Sequence, residues 1–288
     1  MIDLFIQPFV DFDFMRRAWF GCIIISLGAS PLGVFLMLRR MSLAGDAMAH
    51  AILPGAAVGY LLGGLSLTAM TFGGAVAGLV VALLSGLIAR TTVLKEDASL
   101  ATFYIISLAL GVLIISIRGD NVDLIHILFG TVLALNNDAL LLICATSSLT
   151  ILTLSFLFRL ILMESVDSQF LSSVSRWGAW AHYAFLALVV LNLVSGFHAI
   201  GSLMIIGVML LPATSARFWG RSVGQLILVA LLIAAVSSTL GLLASYHFSL
   251  PSGPSIILTT GIFHVLSLIF GWEGGWLSHY YRAPKVTQ

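Results

Sequence analysis

The chain of 288 residues is 60% hydrophobic and only 9% charged, with a formal net charge of +1 at pH 7 and a mean hydropathy of +1.10. About a quarter of the residues of an ordinary soluble domain are charged, so this composition excludes one and points to a polytopic integral membrane protein of all-α class. The basic residues are dispersed, which excludes an electrostatic footprint for nucleic acid and leaves charge to set topology within lipid.

Asp3, Asp11 and Asp13 precede the first basic residue, the reverse of a cleavable signal, so the first span is expected to direct insertion. Cys22 and Cys144 both sit in apolar runs, against a disulfide framework or a cysteine metal site. No polar stretch is long enough for a soluble domain, and residues 1–288 read as a single transmembrane domain.

Apolar runs suited to a bilayer core lie at 18–38, 47–64, 67–89, 99–117, 139–161, 180–197, 200–216, 223–246 and 254–271. They predict about nine transmembrane helices, with eight or ten left open because several runs are short or broken by Gly or Pro. Lys and Arg concentrate on the cytoplasmic side of membranes. With the loop after the first span inside, the thirteen Lys and Arg fall in the cytoplasm except Arg16, Arg17 and Arg118. The tail 279–288 is then cytoplasmic.

The stretch 41–64, MSLAGDAMAHAILPGAAVGYLLGG, carries the most information. His50 follows Asp46 by four residues, and at about 100° of turn per residue a helix puts both on one face. Ionisable side chains are costly inside a membrane and face a cavity or a pathway. Two readings follow: a contact for a passing divalent cation, or an Asp–His hydrogen bond that fixes packing. Gly55, Gly59 and Gly63, then Gly74 and Gly78, have the spacing that lets membrane helices approach closely. Pro54, beside Gly55, is expected to bend the helix between the polar pair and this strip.

Residues 118–138 are too short and polar to cross, and a re-entrant or interfacial helix opened by Asn121 or Asp123 fits better. His126 lies within it. Residues 163–178, MESVDSQFLSSVSRWG, form the longest polar stretch between spans and are placed in the cytoplasm, either as a surface loop or as a docking element. Pro212 is expected to kink its helix, and Pro251, Gly253 and Pro254 to make a tight turn. His264 lies near the middle of the last span, where a buried hydrogen bond competes with a secondary metal contact.

Four segments together carry a family resemblance: RRMSLAGDAMAHAILPG at 39–55, VDLIHILFG at 122–130, GSLMIIGVMLLPATSAR at 201–217 and PSGPSIIL at 251–258. In order along nearly the whole chain, they resemble the ABC-3 permeases of bacterial zinc, manganese and iron uptake systems. The resemblance implies a fold like a reduced vitamin B12 or siderophore importer permease in the bacterial cytoplasmic (inner) membrane. It also implies a second permease copy, cytoplasmic ABC ATPase subunits and an extracytoplasmic metal-binding protein.

On this resemblance Asp46 and His50 match pathway positions. His264 lies outside the family pattern, and Asp123, His126 and His264 are secondary metal candidates by residue type and placement alone. The mid-chain cytoplasmic segment, with Asp167, Gln169, Phe170 and Arg176, matches the element that docks on the ATPase. Zinc, manganese or iron would be cargo, with no cofactor bound permanently. Gly130 is followed by Thr131 where many members continue with Asp, so the resemblance carries no acidic secondary contact over to this position.

The chain holds no phosphate loop of the GxxxxGKS or GxxxxGKT type, so it is not expected to be an enzyme and ATP hydrolysis falls to a partner. A stand-alone secondary transporter or channel using the same pair is the alternative. An intramembrane metalloenzyme lacks its HExxH motif.

Overall fold

The structure, a computed structural model, describes residues 2–64, 66–93, 95–118, 132–167, 171 and 177–278. Its helices are α1 (Ile2–Asp11), α2 (Asp13–Leu38), α3 (Ser42–Ala51), α4 (Leu53–Gly63), α5 (Leu67–Thr91), α6 (Glu96–Arg118), α7 (Asn137–Val166), α8 (Trp177–Ile200), α9 (Ser202–Ala216), α10 (Val223–Phe248) and α11 (Ser252–Phe270). No strand occurs among the described residues, in keeping with the all-α expectation.

Seven of these helices, α2, α5, α6, α7, α8, α10 and α11, are long and apolar enough to cross a membrane. Counted as single helices long enough to span, the expected nine become seven, and two runs differ, although the parallel course of α2 and α7 requires the α3–α4 segment to carry the chain back between them. The run at 200–216 forms α9, of 15 residues, which at 1.5 Å per residue is about 22 Å and falls short of a core of about 30 Å. The run at 47–64 is not one helix, because the chain breaks at Ile52 into α3 and α4. Pro54 stands in the first turn of α4, and with no N–H to offer the His50 carbonyl it stops the ladder from continuing. The expected bend is a full break.

A second correction concerns Pro251, Gly253 and Pro254. Pro251 caps α11, while Gly253 and Pro254 lie inside its first turn, where backbone N–H groups have no intrahelical partner to lose. The turn itself falls on Ser249, in the left-handed region at φ 51°, with the Leu250 N–H closing on the Ser245 carbonyl.

The bundle is organised around α2 and α8, whose membrane windows are 67% and 72% buried, against 22% for α6 and α7. Gly21, Gly28, Phe35 and Arg39 of α2 meet Leu140, Ser147, Phe158 and Ser165 of α7 in that order, so these two helices run parallel. Asn192, Phe185 and His182 of α8 meet Gly28, Phe35 and Arg39, so α8 runs antiparallel to α2. The ends of α2 and α7 and the start of α8 therefore share one end of the bundle, the end that the charge rule places in the cytoplasm.

Two close approaches require glycine. A Cβ on Gly33 would lie 1.8 Å from the Met209 carbonyl oxygen of α9, and one on Gly55 would lie 2.0 Å from that of Gly73 on α5. Backbone contact of this kind replaces the hydrophobic driving force that helices lack in lipid. Pro212 sits within α9 and leaves the Val208 carbonyl without its intrahelical donor. The Ser30 hydroxyl of α2 donates to that oxygen at 3.4 Å, tying the interruption into the bundle.

Candidate metal site

Helix α3 is built from small residues: Ala44, Gly45, Ala47, Ala49 and Ala51 are buried, while the side chains of Asp46 and His50 point away from that packed face. The helical spacing brings His50 Nε2 to 3.6 Å from Asp46 Oδ1. That distance is too long for a hydrogen bond, which counts against the packing interpretation of the pair. Two donors about 2.1 Å from one cation, the usual zinc–nitrogen and zinc–oxygen length, subtend roughly 120° when 3.6 Å apart, so an ion fits between them with positions left over. The Asp46 side chain is 55% exposed and that of His50 27%, which leaves both donors reachable.

Helix α6 forms the wall of this site. It runs parallel to α3: the Tyr104 ring lies 6.3 Å from the His50 ring, the Ser107 hydroxyl donates to the Ala51 carbonyl at 2.9 Å, and Gly111 packs on Pro54. Behind α3 and α4, Gly74 and Gly78 of α5 receive the Ile52 side chain, while Gly55, Gly59 and Gly63 pack on α5 at Gly73 and Ala69. The small-residue strip thus faces its neighbour and the polar pair faces elsewhere, as the spacing predicts.

Among the described residues, His264 is not brought to this pair. His264 Nδ1 lies 3.1 Å from the Ser215 hydroxyl and 3.4 Å from that of Thr214, with the Phe218 ring alongside. Those partners suit a part-buried histidine with a packing role. Asp123 and His126 lie outside the described residues, as do Gln169, Phe170, Arg176 and the tail 279–288. Asp167 is described and caps the C-terminus of α7, its N–H bonded to the Met163 carbonyl. Among the described residues no group of three or more His, Cys, Asp or Glu could hold a metal by itself. A two-donor site leaves coordination positions open.

The profile of the ABC 3 transport family matches residues 11–271. The chain belongs to the ABC 3 transport family. This permease is 32% identical over 268 residues to the manganese import system permease protein ScaB of Streptococcus gordonii, covering 93% of this chain and 95% of ScaB. The solved structure of PsaBC from Streptococcus pneumoniae in complex with Fab superposes with a TM-score of 0.83 at 29% identity, over 97% of this chain and all of that one. An inward-facing ABC transporter of the metal-chelate type shares the fold alone, with a TM-score of 0.69 at 18% identity. The chain therefore shares its fold with a transporter described as metal-chelate type.

Sequence reasoning missed one cluster in this ABC 3 permease. Arg39, at the end of α2, meets the Ser165 hydroxyl through Nε at 3.1 Å and His182 Nδ1 through Nη1 at 3.1 Å, and its guanidinium lies 4.2 Å over the Phe185 ring. His182 Nε2 stands 2.9 Å from Glu96 Oε1, and Nδ1 stands 3.6 Å from Glu164 Oε1. In the sequence Arg39 serves topology and opens the 39–55 segment, and His182 has no distinguishing feature. The sequence carries no signal that pairs positions 39, 96, 164 and 182, since each sits at the end of a different apolar run.

Proposed function

We propose that this chain is the permease through which an ATP-driven importer passes a divalent transition metal, manganese by preference, across the bacterial inner membrane into the cytoplasm. The observation that carries this reading is the Asp46–His50 pair, two metal-type donors 3.6 Å apart on a short helix that ends at a break in the membrane. Similarity to permeases named for manganese import supports the choice of cargo. Carboxylate and imidazole suit manganese, iron and zinc alike, so the donors themselves leave zinc and iron within reach.

In this reading a binding protein delivers the ion from outside, a second permease copy completes the path, and ATPase subunits dock on the 163–178 stretch at the end of α7. Asp46 and His50 follow closely after the α2 turn at the cytoplasmic end, so they serve as a relay or inner gate. Reconstitution in vesicles tests the proposal. Manganese-54 uptake is expected only with the ATPase and binding protein present and with ATP inside. Uptake by the permease alone, indifferent to ATP, would overturn it in favour of a secondary transporter or channel.

A further inference from the structure

The Arg39–His182 cluster gathers charged and titratable groups around two buried members, His182 and Glu164, while Arg39 and Glu96 are half-buried. The His182 and Glu164 side chains are only 5% and 4% exposed. Charges removed from water are costly, and a well-packed apolar core of the same volume would serve stability as well or better. What such a cluster supplies is a single geometry, so the elements it joins are informative.

Arg39 fixes the end of α2. The Arg40 N–H closes on the Met37 carbonyl and the Met41 N–H on the Leu36 carbonyl, the double closure of a Schellman cap. The residue in the left-handed position is Arg40, at φ 60°, where glycine is usual. Helix α3 starts at Ser42 directly after this tight turn, and Asp46 lies in its second turn. The placement of α3 is thereby set by where Arg39 is held.

His182 then joins α3 to its facing wall. Arginine can only donate, so Nδ1 accepts from Arg39 and the ring proton lies on Nε2, toward Glu96. The 2.9 Å contact with Glu96 Oε1 is off the direction of a hydrogen bond, and that buried oxygen has no hydrogen-bond partner. The contact is electrostatic. Glu96 opens α6, the helix that carries Tyr104 beside His50 and Ser107 beside Ala51. One imidazole thus bridges the turn that leads into α3 and the start of α6, the two helices that form the Asp46–His50 site. Glu164 and Ser165 attach the same bridge to the last turn of α7.

We infer that His182, held between Arg39 and Glu96, is a positioning residue for the metal pair: it fixes the spacing of α3 and α6 at the cytoplasmic end, and Glu164 links that spacing to the end of α7. The inference rests on the reading of Asp46 and His50 as the metal path. His182 itself touches no metal.

Two measurements on the full permease test it. Spin labels introduced by L43C on α3 and T102C on α6, both exposed positions, report the helix spacing by pulsed electron paramagnetic resonance. The wild-type background is expected to give one narrow distance distribution, and His182→Gln to broaden or shift it. In the reconstituted importer His182→Gln is expected to lower manganese uptake about 10-fold, as loss of an indirect support does in other metal sites, with assembly unchanged. If His182→Gln does not fold, Glu96→Gln keeps the shape, weakens the same contact and carries the same expectation. An unchanged distance distribution, or unchanged uptake in a folded variant, overturns the inference. Normal uptake by Asp46→Asn would overturn the reading of the metal pair instead, and the distance measurement alone then decides whether His182 sets the spacing.

Discussion

Asp46–His50 and Glu96–His182 are both contacts between a carboxylate and an imidazole, at 3.6 and 2.9 Å, yet they are built in opposite ways. In the first, both groups are accessible and lie one helical turn apart on a single small-residue helix, with the Tyr104 ring beside His50. In the second, four helices contribute, the imidazole is buried, and Arg39 is engaged through the guanidinium nitrogens and its flat face. A site proposed to take up an ion and release it has to leave coordination unfilled. A site that holds helices in register has to fill it.

This contrast predicts that the two contacts fail differently. Glu164→Ala removes a carboxylate from the buried cluster and leaves charge behind without it, which should cost about 3 kcal/mol of stability; a lowered thermal unfolding midpoint in lipid nanodiscs checks this. Asp46→Asn should do the reverse, reducing metal uptake by about 10-fold to 100-fold, the range seen when metal-site groups are removed, while the unfolding midpoint stays at the wild-type value. Equal loss of stability in both variants would erase the distinction between them.

Smaller effects sharpen it at the helix ends. Ser30→Ala leaves the Val208 carbonyl beside Pro212 without a donor and should cost about 1 kcal/mol, seen as a lowered midpoint with uptake retained. Arg40→Gly removes a side chain from a left-handed backbone position. The gain there, offset in part by glycine's larger chain entropy, should raise stability by about 0.5 kcal/mol. Slower metal uptake in that more stable variant would indicate that a stiff turn before α3 is used in transport.

Much of this was legible in the residues. Long apolar runs locate seven spans because lipid requires backbone groups to be satisfied within a helix. The period of 3.6 residues puts Asp46 and His50 together, since four residues return to the same face, and Pro54 announces the interruption because it has no N–H. The count of nine failed where the local signal was weakest. Hydropathy registers apolar length, but the run at 47–64 is divided by a proline and the one at 200–216 yields only 15 residues of helix. The turn expected at 251–254 shifted to Ser249 because proline and glycine are tolerated in the first turn of a helix.

What the sequence determined by itself was local: an all-helical membrane chain, its family, and one metal-type pair whose members are near neighbours in the chain. Only the tertiary structure decided the partners of Arg39, Glu96, Glu164 and His182, which are separated by as many as 143 positions. Periodicity relates residues within one helix. Contacts between helices depend on which glycines let backbones approach and on the direction in which each helix runs, and these are settled only when the whole bundle packs.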